Sequence, residues 1–280
     1  MEQNGSAPEI AIRPLSSPQE LAQGVALQRE IWGEQFTEVV PSAILMICQR
    51  VGGIAAGAFD REGRMLGFVF GLTGVKDGRL VHWSHMLAVR PQARGAGLGR
   101  RLKLYQREQL LSLGVEEVRW TYDPLVAQNA HLNLNLLGAE MESYVPDMYG
   151  SNTGSPLHSG LGTDRFIVLW KIADSRVERV ISQGPEPIPS FENAPVVNVE
   201  TDPRGTSLPA EKDLPSEAMV RVEVPEDIQQ VRLRSHEEAL QWRRVTRRAF
   251  LWYQERGYRV RGFRRDPETH RCFYALAKEG

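Results

Sequence analysis

An apolar run ends at Val89, an amphipathic repeat begins at Leu98, and the stretch Val89 to Leu102 reads VRPQARGAGLGRRL. It carries three glycines and four arginines in fourteen residues. Positions without side chains leave backbone that something approaches closely. A strand, a glycine-rich turn and a helix N-terminus form an anion site, because the first helical N–H groups lack intrahelical acceptors and the helix dipole is positive there. The expected guest is phosphate. A nucleoside-triphosphate loop needs GK[ST] after its glycines, whereas Gly99 is followed by Arg100. The dinucleotide fingerprint GxGxxG fails as well, since Gly95, Gly97 and Gly99 stand two apart and the preceding strand belongs to a meander. A competing reading, in which the glycines only let a helix pack closely on a strand, explains the glycines but not the arginines.

The surrounding pattern places this turn in an α+β, mixed α/β chain. EIAIR (Glu9 to Arg13) alternates as a first strand. SSPQELAQGVALQREIW then opens a helix, with Ser17 as N-cap, Pro18 next and Glu20 completing a capping box. Pro41 to Val51 reads as a second helix. Strands at Ile54–Phe59, Met65–Leu72 and Leu80–Val89, separated by DREG and KDG, predict an antiparallel meander. After the turn, Leu98, Leu102, Tyr105, Leu110 and Leu113 make a helical stripe. Glu117–Tyr122 is a strand, Ala127–Leu137 helical, and Met141–Tyr149 and Arg165–Lys171 are strands. The composition changes over Ser182–Ser216, which has seven prolines and no lasting periodicity. That segment, within a Pro-rich linker expected over 173–218, reads as a chain wrapping over another surface or as disordered, with both readings open. A small βαββ unit is expected over 219–280.

Arg94, Gly97 and Gly99 spell RxxGxG directly after a strand. Here the sequence resembles the GNAT superfamily of acyl-CoA-dependent N-acyltransferases, whose pyrophosphate-binding turn is (Q/R)xxGx(G/A). The order of elements matches over residues 9–172, which are expected to form the acyltransferase domain around a central mixed sheet flanked by helices. The C-terminal unit further resembles a long subgroup of GNAT-like proteins, some of whose members are thought to acylate amino acids, including with succinyl-CoA. The resemblance implies acetyl-CoA or succinyl-CoA as cosubstrate. It further implies that N–H groups of Gly95, Ala96, Gly97, Leu98 and Gly99 bind the pyrophosphate, and that Arg94, Arg100 or Arg101 neutralises it. It implies too that the backbone of Leu87, Ala88 and Val89 pairs with the pantetheine amides, and that Asn129 and Asn133 meet pantetheine.

Amine acylation needs a neutral nitrogen, a polarised thioester and a proton for the thiolate. At pH 7.4 a lysine-like amine costs roughly 4 kcal/mol to deprotonate, so a general base matters more for a basic acceptor. The resemblance implies a glutamate on the fourth strand, but LVHWSHMLAV has none. His82 and His85 are its titratable residues, and their spacing puts them on opposite faces, which prevents joint chelation of one metal. Strand parity groups His85 with Trp83, Leu87 and Val89. His85 is the candidate base, against a structural histidine. The family's acid, a tyrosine in the following helix, is replaced by Leu134, and Ala139 stands where a phenylalanine is usual. Tyr149 is the candidate acid, with Tyr144 the other tyrosine of that strand. Substrate determinants are expected around Trp32–Pro41 and Tyr149–Arg165, with Arg165 or a C-terminal arginine a candidate partner for a carboxylate.

The expected function is transfer of an acetyl or succinyl group to the amino group of a small molecule, an amino acid among them. Two alternatives stay open: a CoA-binding sensor or inactive protein, and a nucleic-acid module built on the C-terminal arginines. Arg232–Arg265 holds eleven arginines against three glutamates, with Arg243/Arg247 and Arg244/Arg248 stacked at i, i+4. A net charge of -1 favours compensation inside the chain over nucleic acid. Cys48 and Cys272 lack metal or disulfide spacing, which fits a reducing, cytoplasmic setting. MEQNGSAPE lacks signal-peptide regions and AILMIC is too short to span a bilayer, so neither export nor membrane insertion is expected. A homodimer is among the partner expectations; a metal is not expected.

Overall fold

The computed structural model describes residues 10–150, 153–158, 160–189, 191–203 and 205–278. Glu9, the expected N-terminal MEQNGSAPE segment and the last two residues lie outside that set. The chain divides into two compact units, one formed by residues 1–120, 153–156 and 171–173, the other by residues 121–152, 157–170 and 174–280.

The first unit holds β1 (Ala11–Pro14), α1 (Pro18–Trp32), α2 (Ser42–Arg50), β2 (Ile54–Phe59), β3 (Met65–Lys76), β4 (Arg79–Val89) and α3 (Leu98–Ser112). It also holds most of β5 (Glu117–Tyr122). Strands β2 to β4 form the expected antiparallel meander, β1 pairs antiparallel with β2, and β5 runs parallel to β4, so the sheet is mixed. Helix α1 begins as its sequence dictates: Ser17 Oγ accepts from Glu20 N at 3.2 Å, with Pro18 at the first position. The return bond differs from a standard box, because the Glu20 carboxylate accepts from Ser16 N at 2.8 Å. The Arg13 guanidinium, at 2.8 Å, holds the Glu20 carboxyl down at about 2. One sheet face packs on α1 and α2 through Leu27, Leu45, Phe68, Phe70, Met86 and Ala88, all buried. The other face carries α3, whose Leu102 stands over Gly67.

The second unit begins within β5. Helix α4 (Ala127–Ala130) continues as a π-helical turn, His131–Leu136, where the sequence predicts one regular helix. Strand β6 (Glu140–Val145) pairs antiparallel with β7 (Arg165–Lys171). Strand β6 stops at Val145, so Tyr149 lies in the following turn and not in the strand expected to reach it. Helix α5 (Ser175–Gln183) follows, capped by Asp174, and was not legible as an element. The Pro-rich segment then runs along β10 (Met219–Val224): Val197 N donates to Arg221 O at 3.1 Å, and the Asn198 amide makes two 2.8 Å bonds with the Glu223 backbone. Within it β8 (Val199–Thr201) and β9 (Ser207–Pro209) form a short hairpin. The C-terminal elements are α6 (Ile228–Arg234), α7 (His236–Glu255), β11 (Tyr258–Arg265) and β12 (Cys272–Lys278). The sheet order is β10-β12-β11, so the expected βαββ gains one short helix. Phe166 packs edge-on against Phe250 at 4.8 Å and Tyr274 at 5.3 Å, centring this unit's aromatic core. Cys48 and Cys272 are free and buried.

Candidate functional site

The glycine turn is built as the sequence demands. Gly95 and Gly97 have φ of 83° and 71°, and Gly97 is the left-handed N-cap of α3. A Cβ at either position would meet nothing within 4 Å. Close packing of helix on strand therefore does not explain these two glycines; the backbone conformation does, and the turn's outer face is left open. Gly95, Ala96 and Gly97 are exposed, Leu98 is buried beneath them, and Gly99 and Arg100 are half-buried. Of the four arginines, Arg90 is tied to Met65 O at 2.7 Å and ion-paired with Glu30, and Arg101 bonds Ile10 O at 2.9 Å. Arg94 is exposed and folds back onto Val89 O at 3.1 Å.

Strand β4 leads into this turn and is irregular at one point. Phe70 faces Met86 while Gly71 faces Ser84, so His85 is an extra residue in β4, a β-bulge. Before the bulge, His82 and Ser84 face α3: Ser84 Oγ donates to Gln106 at 2.9 Å, and a Cβ on Gly71 would stand 2.2 Å from His82 Nε2. After it, Met86 and Ala88 face α1 and α2. The expected grouping of His85 with Leu87 and Val89 is thereby corrected, because the bulge switches faces and leaves those two on the α3 side. The opposite placement of His82 and His85 holds. Strand β5 pairs with β4 only from Val81↔Glu117 to Trp83↔Arg119 among the described residues. From Ser84 to Val89, the β4 edge directed toward β5 has no ladder partner in it.

The His85 ring stands edge-on to Phe70 at 6.2 Å between centroids. Burial lowers its pKa, and the Glu38 carboxylate in the α1–α2 loop opposes that shift. Glu38 is the carboxylate that a search confined to the strand overlooks. His82 is fully enclosed. Gln106 Nε2 donates to its Nε2 at 3.0 Å, so Nδ1–H donates to Thr73 Oγ1 at 2.9 Å, which donates to Gly52 O at 2.7 Å. Burial and the nearby Lys103 hold His82 neutral, with a pKa near 3. The two loops expected to determine the substrate meet: Thr37 N donates to Thr153 O at 3.0 Å, and a Cβ on Gly154 would collide with Gln35 O.

In the second unit, Tyr149 shares a 3.0 Å hydrogen bond with Thr121 Oγ1, and its ring lies 5.3 Å from the Arg165 guanidinium. Tyr144 is committed to Asp164 through its hydroxyl. Burial and the adjacent Asp164 charge raise its pKa. Asn133 is buried and Asn129 half-buried, either side of the transition from α to π geometry, while Leu134 is buried in the π turn. The arginines of α7 are only partly a surface. Arg243 is buried, donating to Asp123 Oδ2 at 2.6 Å and Leu161 O at 3.0 Å. Arg247 pairs with Asp164 and Asp147. On the exposed side, Arg244 pairs with Glu211 at 3.0 Å and Arg248 donates to Lys212 O at 2.7 Å. Among the described residues no three His, Cys, Asp or Glu side chains form a metal-binding group, and no helix is long and apolar enough to cross a membrane.

No family model and no curated protein matches the chain. Solved structures do. A GNAT-family acetyltransferase from Streptococcus pneumoniae is similar at 19% identity and a TM-score of 0.46, over 57% of this chain and 98% of that one. Arabidopsis thaliana Naa50, in complex with the bisubstrate analogue CoA-Ac-MVNAL, is similar at 13% identity and a TM-score of 0.45, over 57% and 97%. An aminoglycoside 6'-acetyltransferase type Ii is similar at 17% identity and a TM-score of 0.44, over 59% and 98%. In the chain's own geometry, two helices follow the first strand, and a meander, the glycine-turn helix and a further βαββ complete the order expected of the GNAT fold.

Proposed function

We propose that this chain transfers an acyl group, acetyl or succinyl, from acyl-CoA to the amino group of a small molecule of the amino-acid class. One observation carries the reading: an open, left-handed glycine turn heads α3 at the end of the β4 edge that β5 leaves unladdered. The N–H groups of Gly95–Gly99 suit a pyrophosphate, with Arg94 and Arg100 beside them, and the Leu87–Val89 edge suits the pantetheine amides. The roles of Asn129, Asn133 and Tyr149 rest on the resemblance alone.

The neutral amine attacks the thioester carbonyl carbon, the C–S bond breaks, and the departing CoA thiolate takes a proton. His85, neutral and aimed at the α1–α2 side with Glu38 nearby, suits the base that receives the amine's proton. A CoA-binding sensor is the second reading, favoured by buried Leu134 where the resemblance implies a tyrosine. The deciding experiment follows thiol release from acetyl-CoA and succinyl-CoA against pooled amino acids and polyamines, alongside thermal shifts with CoA. Acceptor-dependent release is expected. A CoA shift without turnover selects the sensor, and no CoA shift overturns both readings.

A further inference from the structure

Arg165 begins β7 almost wholly enclosed, 6% exposed, and no carboxylate lies within ion-pair distance of it among the described residues. Its Nη1 donates to Asp164 O at 2.8 Å and its Nη2 to His158 Nε2 at 2.9 Å. Burial and the Arg165 charge hold His158 neutral, with a pKa near 4, so the histidine accepts this bond without balancing the charge. The interior carboxylates of this unit are engaged elsewhere. Asp123 receives Arg243 and the Leu125 N–H, while Asp164 receives Arg247, the Tyr144 hydroxyl and the Asp147 N–H. A second guanidinium is also incompletely used. Arg243 Nη1 is buried with no hydrogen-bond partner, and Asp164 Oδ2 stands 3.9 Å from it. Arg165 and Arg243 act on each other, and both act on Asp123 and Asp164, so the two guanidinium groups belong to one charged cluster.

Buried charges are ordinarily paired, and buried N–H groups bonded. Two guanidinium groups falling short of this, in one cluster, mark a place for an anion. A planar monoanion suits the fork geometry of guanidinium, and a phosphate dianion would be repelled more strongly by Asp123 and Asp164. We propose that Arg165 and the open Nη1 of Arg243 bind the carboxylate of a small organic acid, against the Tyr149 ring.

The test is calorimetry of the full chain with N-acetylglycine and succinate, and with N-acetylglycinamide as the carboxamide control. Both acids are expected to bind the wild type and the carboxamide is not. Arg165→Gln should weaken binding of the acids by about tenfold or more, with Arg165→Lys, which keeps the charge, intermediate. No binding of either acid, or equal binding of acid and carboxamide, overturns the proposal. Should Arg165→Gln fail to fold, the wild-type acid and carboxamide pair and Arg165→Lys decide.

Discussion

The Lys103 side-chain nitrogen stands 3.7 Å from the centroid of the Trp120 ring, fully enclosed. It donates to Ser84 Oγ and Gln106 Oε1, both at 2.9 Å, and Gln106 continues the chain to His82. Burial pushes the Lys103 pKa well below its ordinary value. Between the folded pKa and the unfolded one near 10.5, the unfolded chain holds a proton that the folded chain has released. Stability therefore rises with pH through that window. Lys103→Met, which keeps an unbranched side chain, is expected to remove this contribution. Urea midpoints for the two proteins at pH 7.5 and 9.5 check it: the wild type should gain more on raising the pH, and parallel slopes would contradict the assigned burial effect.

Gly97 offers a separation of backbone strain from ligand contact. A Cβ there meets no atom within 4 Å, so Gly97→Ala acts on the folded state through φ alone, at about 1–2 kcal/mol for a non-glycine left-handed residue. The added methyl covers the open face of the turn. CoA affinity is expected to fall further than stability does, by at least tenfold in a titration performed well below the melting temperature. Affinity unchanged in a folded variant would remove this turn from pyrophosphate binding.

His85 and Glu38 make a prediction about pH. Burial sets the histidine below its ordinary 6.5, so the acid limb of kcat/KM is expected below that value in the wild type. Glu38 raises the same pKa, and Glu38→Gln should move the limb to still lower pH. His85→Gln is expected to abolish the limb and reduce the rate by about 10²–10⁴-fold. Full pH–rate profiles of the three proteins, measured with one acceptor, provide the comparison. An unmoved limb in His85→Gln would assign the base elsewhere.

What was legible in the sequence followed from local periodicity and backbone chemistry. The meander alternates at period two, α3 carries its apolar stripe, and the glycines of the turn need φ that other residues resist. The bulge at His85 was not legible, because it arises from register with β3; β4 shows the same alternation with or without it. The π turn after Ala130 likewise uses residues that suit an ordinary helix. Strand parity within β4 does not reach Glu38, because the carboxylate arrives from a loop distant in sequence. Arg243 looked like one more residue of a basic helix face; only the positions of Asp123 and Leu161 show that it is buried. Net charge pointed to compensation within the chain, and Arg243, Arg244 and Arg247 of the basic helix do pair with acids of their own unit, including Glu211 of the Pro-rich segment.

Arg243 and Arg244 are neighbours in sequence with opposite surroundings, which makes them a controlled pair. Removing Arg243 takes away the direct partner of the largely enclosed Asp123 carboxylate, a change that costs about 3–5 kcal/mol when one partner of a buried pair is lost. Arg244 pairs with Glu211 where both side chains are half or more exposed, and such a pair contributes under about 1 kcal/mol once solvent screening is counted. Chemical denaturation of Arg243→Ala and Arg244→Ala should therefore differ by several-fold in lost stability. The acid side adds a sign. Arg243 helps hold the Asp123 pKa below its ordinary value, so this contribution is present above pH 3.8 and fades as pH falls through the lower, folded pKa. Asp123→Asn is expected to flatten the acid-denaturation curve in that range, while Arg244→Ala leaves its shape unchanged. Equal losses from the two arginine variants would mean that the buried pair is no stronger than a surface one.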